Sequence, residues 1–337
     1  MDPSLLALAC HLYRTAPEFA TPLAGGHYNV TYRFPLPWTP AESEEGVPYG
    51  VLRIGEEDCP AMQTLGMLEW ARFMSEHGAP VAAPLSSIQG NLLERLEQGG
   101  KAYTITAFVE ANGVLAERIP PEAWTDDLFR AIGQAAGKMH AISKGYHPSN
   151  PALTRPQWFD SDEIHEATAR LAIADAAASY RLKAQTGELR RLPVEPNGYG
   201  LIHSDLHFAN FLVQPGGRVT IIDFDDCQYG WFVMDVAMAL FDVLVLYHAS
   251  TKAESQVFAR QFMQHYLAGY RSENSLDPFW LGQIQHFLKL KELCIYAPLI
   301  AHPDISLPDS WVGRFMTGRA ERIANDVPYV DIDFTLL

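Results

Sequence analysis

In the stretch LIHSDLHFANFLV, residues 201–213, two histidines (His203, His207), Asp205 and Asn210 occupy a polar turn between two short apolar runs. Asp223 follows ten residues after Val213, in IIDFDD, at the end of a β-branched run that leaves the Gly216-Gly217 turn. These runs read as short strands, with the polar residues at the tips of a hairpin-like pair. Asp205 and Asn210 are five positions apart across one turn and Asp223 comes 13 after Asn210, which predicts two carboxylates and an amide oxygen brought together. Hard oxygen ligands of this kind suit Mg²⁺, which is commonly held by one or two carboxylates plus the phosphates of a bound nucleotide. A carboxylate left off the metal can orient a substrate hydroxyl and accept its proton. The chemistry expected is phosphoryl transfer. A lone Asp or Asn in a turn usually only caps it; the whole spaced set exceeds that role.

Strands dominate the first third of the chain. HYNVTYRF alternates Val30, Tyr32 and Phe34 on one face, and YGVLRI and KAYTITAFV are rich in β-branched and aromatic residues. Between them, PAMQTLGMLEWARFMSEHG reads as a helix with proline in its first turn and Gly78 at its end, burying Met67, Trp70, Ala71 and Met74. From Glu122 the text turns helical: PEAWTDDLFRAIGQAAGKMHAIS places Leu128, Ile132, Ala135, Ala136 and Met139 on one face. The expected class is α+β, with residues 1–108 as a sheet-and-helix N-lobe and 109–337 as a mainly helical C-lobe. KGYHPSNPALTRPQW and LPVEPNGYG are loops by their Pro, Asn and Gly content.

Composition sets the surroundings. A chain of 337 residues, 48% hydrophobic, has apolar material for a large core or two smaller ones. A net charge of -15 argues against nucleic acid, whose phosphates need clustered Lys and Arg, and favours a cationic ligand. The opening MDPSLLALACHLYR is too short to span a bilayer and has no small-residue cleavage site, so a surface helix, no membrane and a cytoplasmic location are expected. Cys10, Cys59, Cys227 and Cys294 are widely spaced and read as reduced thiols.

HSDLHFAN followed by IIDFDD resembles the catalytic loop and metal-binding aspartate of the protein-kinase-like fold. In particular it is similar to the aminoglycoside phosphotransferase, choline kinase and homoserine kinase family, whose pattern is close to HGDLHxxN and then IDFxD. Ser204 stands where that family has glycine. The resemblance implies a two-lobed kinase using ATP and Mg²⁺, with Asp205 as catalytic base and Asn210 and Asp223 as metal ligands. It further implies that His203 and Asp235 support the loop backbone. LAGGHYNVTYRF is similar to the nucleotide-covering turn, with Gly25, Gly26 and Asn29 near phosphate, and Ala107, Phe108, Val109 and Glu110 would offer backbone groups to the adenine. Arg53 replaces the strand lysine and can clamp phosphate with its forked donors, with Glu69 the nearest candidate for its partner.

The acceptor side is less defined. Asp226, Tyr229 and Trp231 are candidates for its border, and Trp158, Trp280, Tyr296 and Trp311 for a cation–π box, although core packing is the commoner use of such rings. The acids of WFDSDEIHEA, with the net charge, point to an amine-bearing acceptor. Two other readings stay open: a protein Ser/Thr kinase, against which the immediate entry of QYGWFVMDVA into a helix leaves no activation segment, and a pseudokinase binding protein, supported only by Arg53 and its missing glutamate.

Overall fold

A computed structural model describes residues 2–23, 29–36, 48–57, 61–249 and 251–337. The chain is α+β and forms two compact units. The first comprises Met1–Gly113, Tyr146–Arg155 and Thr220–Asp225; the second comprises Val114–Gly145, Pro156–Val219 and Asp226–Leu337. Gly25, Gly26 and Cys59 lie outside the described residues.

The first unit is built on an antiparallel sheet. Its strands are β1 (Thr21–Leu23), β2 (Val30–Pro35), β3 (Tyr49–Glu56), β4 (Pro84–Leu85), β5 (Glu94–Gln98) and β6 (Lys101–Val109). The order is β1-β2-β3-β6-β4, with β5 also pairing β6. Because side chains alternate along a strand, Tyr32, Leu52 and Ala107, which face each other in register, share one face with Phe34, Ile54 and Ile105. That face is buried under helix α1 (Pro3–Leu12), through Leu5, Ala9, Cys10 and Leu12. The N-terminal helix is a surface helix with one face in the core, its Ser4, Ala7, Leu8 and His11 side staying exposed. Arg53, between Leu52 and Ile54, projects from the opposite face.

Helix α2 (Ala61–Glu76) buries Met67, Trp70, Ala71 and Met74, the stripe expected from its spacing, and the chain leaves it through Gly78 at φ 83°. Trp70 packs edge-on against Phe224 at 5.5 Å. The strand leading to Asp223, β10 below, is pinned here: Ile221 N–H donates to Pro80 C=O at 2.7 Å, and Ala82 N–H donates to Ile221 C=O at 3.0 Å.

The second unit is mainly helical. It holds α3 (Asp126–Ser143), α4 (Asp162–Ala174), α5 (Ala176–Leu189), α6 (Phe232–Tyr247), α7 (Lys252–Arg271), α8 (Pro278–Leu299), α9 (Trp311–Met316) and α10 (Arg319–Ala324). Thr125 caps α3 through Leu128 N–H, so that helix begins four residues later than Glu122; a short 3₁₀ turn, Pro121–Ala123, precedes it. The second unit also holds the short strands β7 (Val114–Leu115), β8 (Tyr199–Ile202), β9 (Phe211–Val213) and β11 (Gln228–Trp231), while β10 (Val219–Ile221) runs across the boundary into the first unit. The apolar run before the polar turn, β8, pairs antiparallel with β11, and the run after it, β9, pairs with β7.

α3 and α7 meet through glycine. A Cβ on Gly133 would collide with the Tyr266 carbonyl oxygen, and one on Gly269 with the Arg130 carbonyl oxygen. Gly133→Ala should cost about 1–3 kcal/mol by forcing backbones apart. Gly187→Ala, in α5 where nothing lies within 4 Å, should gain about 0.5–1 kcal/mol of helix propensity. Urea unfolding of both variants checks the opposite signs.

Candidate active site

In the second unit the loop from His203 to Asn210 hangs on Asp235, in the first turn of α6 and wholly buried. The Asp235 carboxylate accepts the His203 N–H at 2.9 Å, the Ser204 N–H at 2.8 Å and a hydrogen bond from His140 Nε2 at 3.0 Å. Ser143 Oγ donates to Leu201 C=O at 2.5 Å, tying β8 to α3. Ser204 has φ 71°, the left-handed region that favours glycine, and its Oγ accepts from Gln228 Nε2 at 2.6 Å. The hydroxyl thus gains a buried partner in a backbone state that costs it strain.

Asp205 follows. Its Oδ2 lies 3.0 Å from His207 Nε2, and its Oδ1 lies 3.9 Å from Lys291 Nζ on α8. His207 Nδ1 accepts the Ala209 N–H at 3.1 Å, so Nε2 carries the proton donated to Asp205. Burial alone would raise the Asp205 carboxyl; the His207 hydrogen bond and the charges of Lys291, His207 and His203 together outweigh it and hold the group well below the usual carboxylate range. Burial lowers His207, but the Asp205 hydrogen bond and charge, with Asp242, bring it above its ordinary value. Asp242 goes the other way: burial pushes it up, against the Phe208 N–H it accepts at 2.8 Å. Asn210 donates its Nδ2 to the Asp205 carbonyl at 2.8 Å. That bond fixes the amide through its donor nitrogen.

The first unit holds the other residues. The Arg53 guanidinium forks onto Asp225, with one arm at 3.3 Å, and stands 3.8 Å from Asp223. Asp223 is half exposed at φ 65°. Glu69 does not pair with Arg53; it accepts the Tyr146 hydroxyl at 2.8 Å, the Ser149 N–H at 2.9 Å and the Ser149 hydroxyl. Asp225 is the carboxylate that Arg53 uses. Buried Arg155 fastens the same turn, donating to Asp225 C=O at 2.6 Å and Gln63 C=O at 3.0 Å.

Along the Ala107 to Glu110 segment, Val109 N–H donates to Ala83 C=O and Glu110 N–H to Tyr49 C=O, both at 2.8 Å. Those two N–H groups are satisfied by the protein's own carbonyls. The Glu110 carboxylate is gripped by Arg33 through contacts of 2.7 and 2.8 Å. Asn29 is half-buried just before β2.

Trp231 is 1% exposed, packs against Trp158, Tyr199 and Phe287, and donates to Pro193 C=O. It is core and does not border an acceptor. Tyr229 is half-buried in β11 opposite Leu201, and Asp226 is exposed. The four rings of the expected cation box are spread over packing roles: Trp158, Trp280 and Tyr296 are buried, and exposed Trp311 contacts Phe315. Sequence reasoning missed Lys291, whose ion pair with Glu163 at 2.7 Å places it beside Asp205. The available signal was a lysine in an apolar helix run, FLKLKEL, and Glu163 within WFDSDEIHEA.

Residues 21–276 match the model of the phosphotransferase enzyme family. The chain belongs to that family. It is 34% identical over 276 residues to amicoumacin kinase of Bacillus subtilis (strain 168), covering 81% of this chain and 80% of that one. It is 22% identical over 250 residues to homoserine kinase of Polaromonas naphthalenivorans (strain CJ2), covering 68% and 73% of the two chains. Among solved structures, an amicoumacin kinase in complex with AMP-PNP, Ca²⁺ and Ami superposes with TM-score 0.84 at 28% identity over 99% of this chain and 96% of that one. A microcompartment-associated aminopropanol kinase shares the fold, with TM-score 0.68 at 20% identity over 96% and 98% of the chains. The chain is a kinase that transfers a phosphoryl group from ATP, with a divalent metal, to a hydroxyl of a small molecule. Among the described residues no helix is long and apolar enough to cross a membrane, and no three His, Cys, Asp or Glu side chains cluster to hold a metal unaided. Carboxylate and amide oxygens, completed by nucleotide phosphates, are the donor types such a metal takes.

Ser204 gives a test of the loop. Left-handed backbone costs a residue with a Cβ about 1–2 kcal/mol, and an orphaned Gln228 amide costs about 1–3 kcal/mol. Ser204→Gly should therefore unfold near the parent's midpoint, whereas Ser204→Ala keeps the strain, loses the bond and should be less stable by about 1–3 kcal/mol. Denaturant curves in which Ala equals or exceeds Gly would contradict this account.

Proposed function

We propose that the protein is an ATP- and Mg²⁺-dependent kinase that phosphorylates a hydroxyl of an amine-bearing antibiotic or amino alcohol, with amicoumacin the first acceptor to try. The observation that carries this is the Asp205 carboxylate, kept ionised by His207 and Lys291 on a loop whose backbone is fixed by Asp235. Support for the acceptor comes from the 34% identity to amicoumacin kinase over four fifths of each chain. Asp205 is the proposed base: it accepts a hydrogen bond from the acceptor hydroxyl and takes its proton as the phosphoryl group arrives. Asn210 Oδ1 and the Asp223 carboxylate are the proposed ligands of Mg²⁺, which when bound neutralises charge on the phosphates. Arg53, anchored by Asp225, is the proposed phosphate clamp, and Gly25, Gly26 and Asn29 the proposed cover of the nucleotide. The compartment this reading implies is the cytoplasm.

ADP release and product mass should be followed with amicoumacin, 1-amino-2-propanol, homoserine, spectinomycin and the neutral 1,2-propanediol, each with Mg²⁺ and with Ca²⁺. Amine-bearing acceptors should outperform neutral ones, as the net charge of -15 suggests. A neutral or anionic best acceptor whose turnover is unchanged by added salt removes the electrostatic part of the proposal.

The carboxylates should fail differently when changed. Asp205→Asn should bind Mg-ATP normally while turnover collapses; Asp223→Asn should weaken nucleotide binding too, with partial recovery at raised Mg²⁺. Equal loss of binding in both would mean shared metal ligation. Arg53→Ala should weaken ATP handling by about 1.5–3 kcal/mol, with Arg53→Lys retaining part of it. Nucleotide titration decides: parent-like binding in Arg53→Ala would make Asp225 its only role.

A further inference from the structure

Lys291 is an unusual occupant of its place. It lies on α8 with its side chain only 17% exposed, within hydrogen-bond reach of Glu163 at 2.7 Å and 3.9 Å from Asp205 Oδ1. The second distance is too long for a hydrogen bond, so it is an ion pair only. An ammonium has three protons to donate, and among the described residues only Glu163 takes one. Beside it is a void of about 10 Å³, room for one water-sized group, walled by Glu163 and Ser204 and otherwise by Met234, Met238, Phe287, Leu290 and Cys294. The walls are largely apolar, so the strong donor facing the void is Lys291. Burial would lower the lysine, but Glu163 and Asp205 outweigh it and keep the ammonium charged.

We infer that Lys291 reads the acceptor: held by Glu163, its ammonium donates to an oxygen on the carbon next to the reacting hydroxyl. This rests on the reading of Asp205 as the group facing that hydroxyl. Neighbouring oxygens of a diol or a hydroxy-acyl group are spaced to touch Asp205 Oδ1 with one and Lys291 Nζ with the other, bridging the 3.9 Å gap. An ammonium on that neighbouring carbon would instead meet a like charge. The favoured acceptors therefore carry a vicinal oxygen, and any amine lies farther along.

The test uses 3-amino-1-propanol and 3-amino-1,2-propanediol, which differ only in the vicinal hydroxyl and both carry the amine one carbon farther along, on the intact chain. The parent should favour the diol in kcat/KM by roughly tenfold, the range for a hydrogen bond to a charged donor. Lys291→Arg should keep part of that ratio and Lys291→Met should bring it to about one. Since Lys291→Met leaves Glu163 unpaired and can fail to fold, Lys291→Met with Glu163→Gln is measured alongside it. A parent that does not discriminate the pair, turnover of neither included, overturns the inference. So does a variant that loses both acceptors by the same factor, which marks a structural role. Asp205→Asn separates the two levels: full turnover there removes the underlying reading, whereas collapse there with an unchanged diol ratio in the Lys291 variants sinks this inference alone.

Discussion

The buried carboxylate of Asp235 is the constraint on which the catalytic loop depends. A carboxylate removed from water costs several kcal/mol unless donors replace the solvent, and here the donors are two successive backbone N–H groups of the loop and a histidine of another helix. The polarity of the network can be followed outward. Lys144 donates to Asn274 Oδ1 at 2.6 Å, Asn274 Nδ2 to the Tyr270 hydroxyl at 3.0 Å, and that hydroxyl to His140 Nδ1 at 2.8 Å, which leaves His140 Nε2–H for Asp235. Every donor points toward the carboxylate. α3, α6 and α7 are thereby oriented by the same charge that sets the backbone of His203 and Ser204, and the glycines at the α3–α7 contact allow the approach this network needs.

With the backbone fixed, the environment of each side chain sets its chemistry. Asp205 and Asp242 both lie near His207, yet one is held below the usual carboxylate range and the other raised above it. The difference is in partners: Asp205 has His207 and Lys291, whereas burial dominates Asp242. In its proposed role as base, Asp205 held so low would be a weak proton acceptor, which suits a transition state where the phosphoryl group is loosely bonded and the hydroxyl needs orienting more than early deprotonation. Electrostatic anchoring of the carboxylate then matters more than its basicity.

Much of this was legible in the sequence because the signals were local. Period-two alternation located β2 and its core face, helical spacing located the stripes of α2 and α3, and the polar set within ten residues located the loop. The partner of β8 was not legible: it joins β11 across 25 intervening residues, and a four-residue apolar run holds no record of so distant a partner. The same limit hid Lys291 and Glu163, which lie 128 positions apart and look like two surface charges until the helices pack. Arg53 shows a third kind of limit. A lysine-like position suggested a glutamate on the next helix, but Glu69 is consumed by Tyr146 and Ser149, and Asp225, two residues after Asp223, supplies the negative charge instead. Arginine permits the exchange, because its fork can grip a nearby carboxylate in two places without the geometry a point charge requires.

The choice between a small acceptor and a protein turns on the segment after Asp223. In a protein kinase this region must lie open as an extended surface for the substrate peptide. Here Asp226 and Cys227 are the only residues between Asp225 and β11, β11 is spent on pairing with β8, and α6 begins at Phe232. Trp231, the last residue of β11, is sealed beneath Trp158, Tyr199 and Phe287. Freeing this strand for a peptide would expose that ring cluster and unpair β8, the strand that delivers His203 to Asp235. The loop's anchorage and the closed segment are thus one structural decision: rigid support for Asp205 is obtained by using up the backbone that a protein substrate would need.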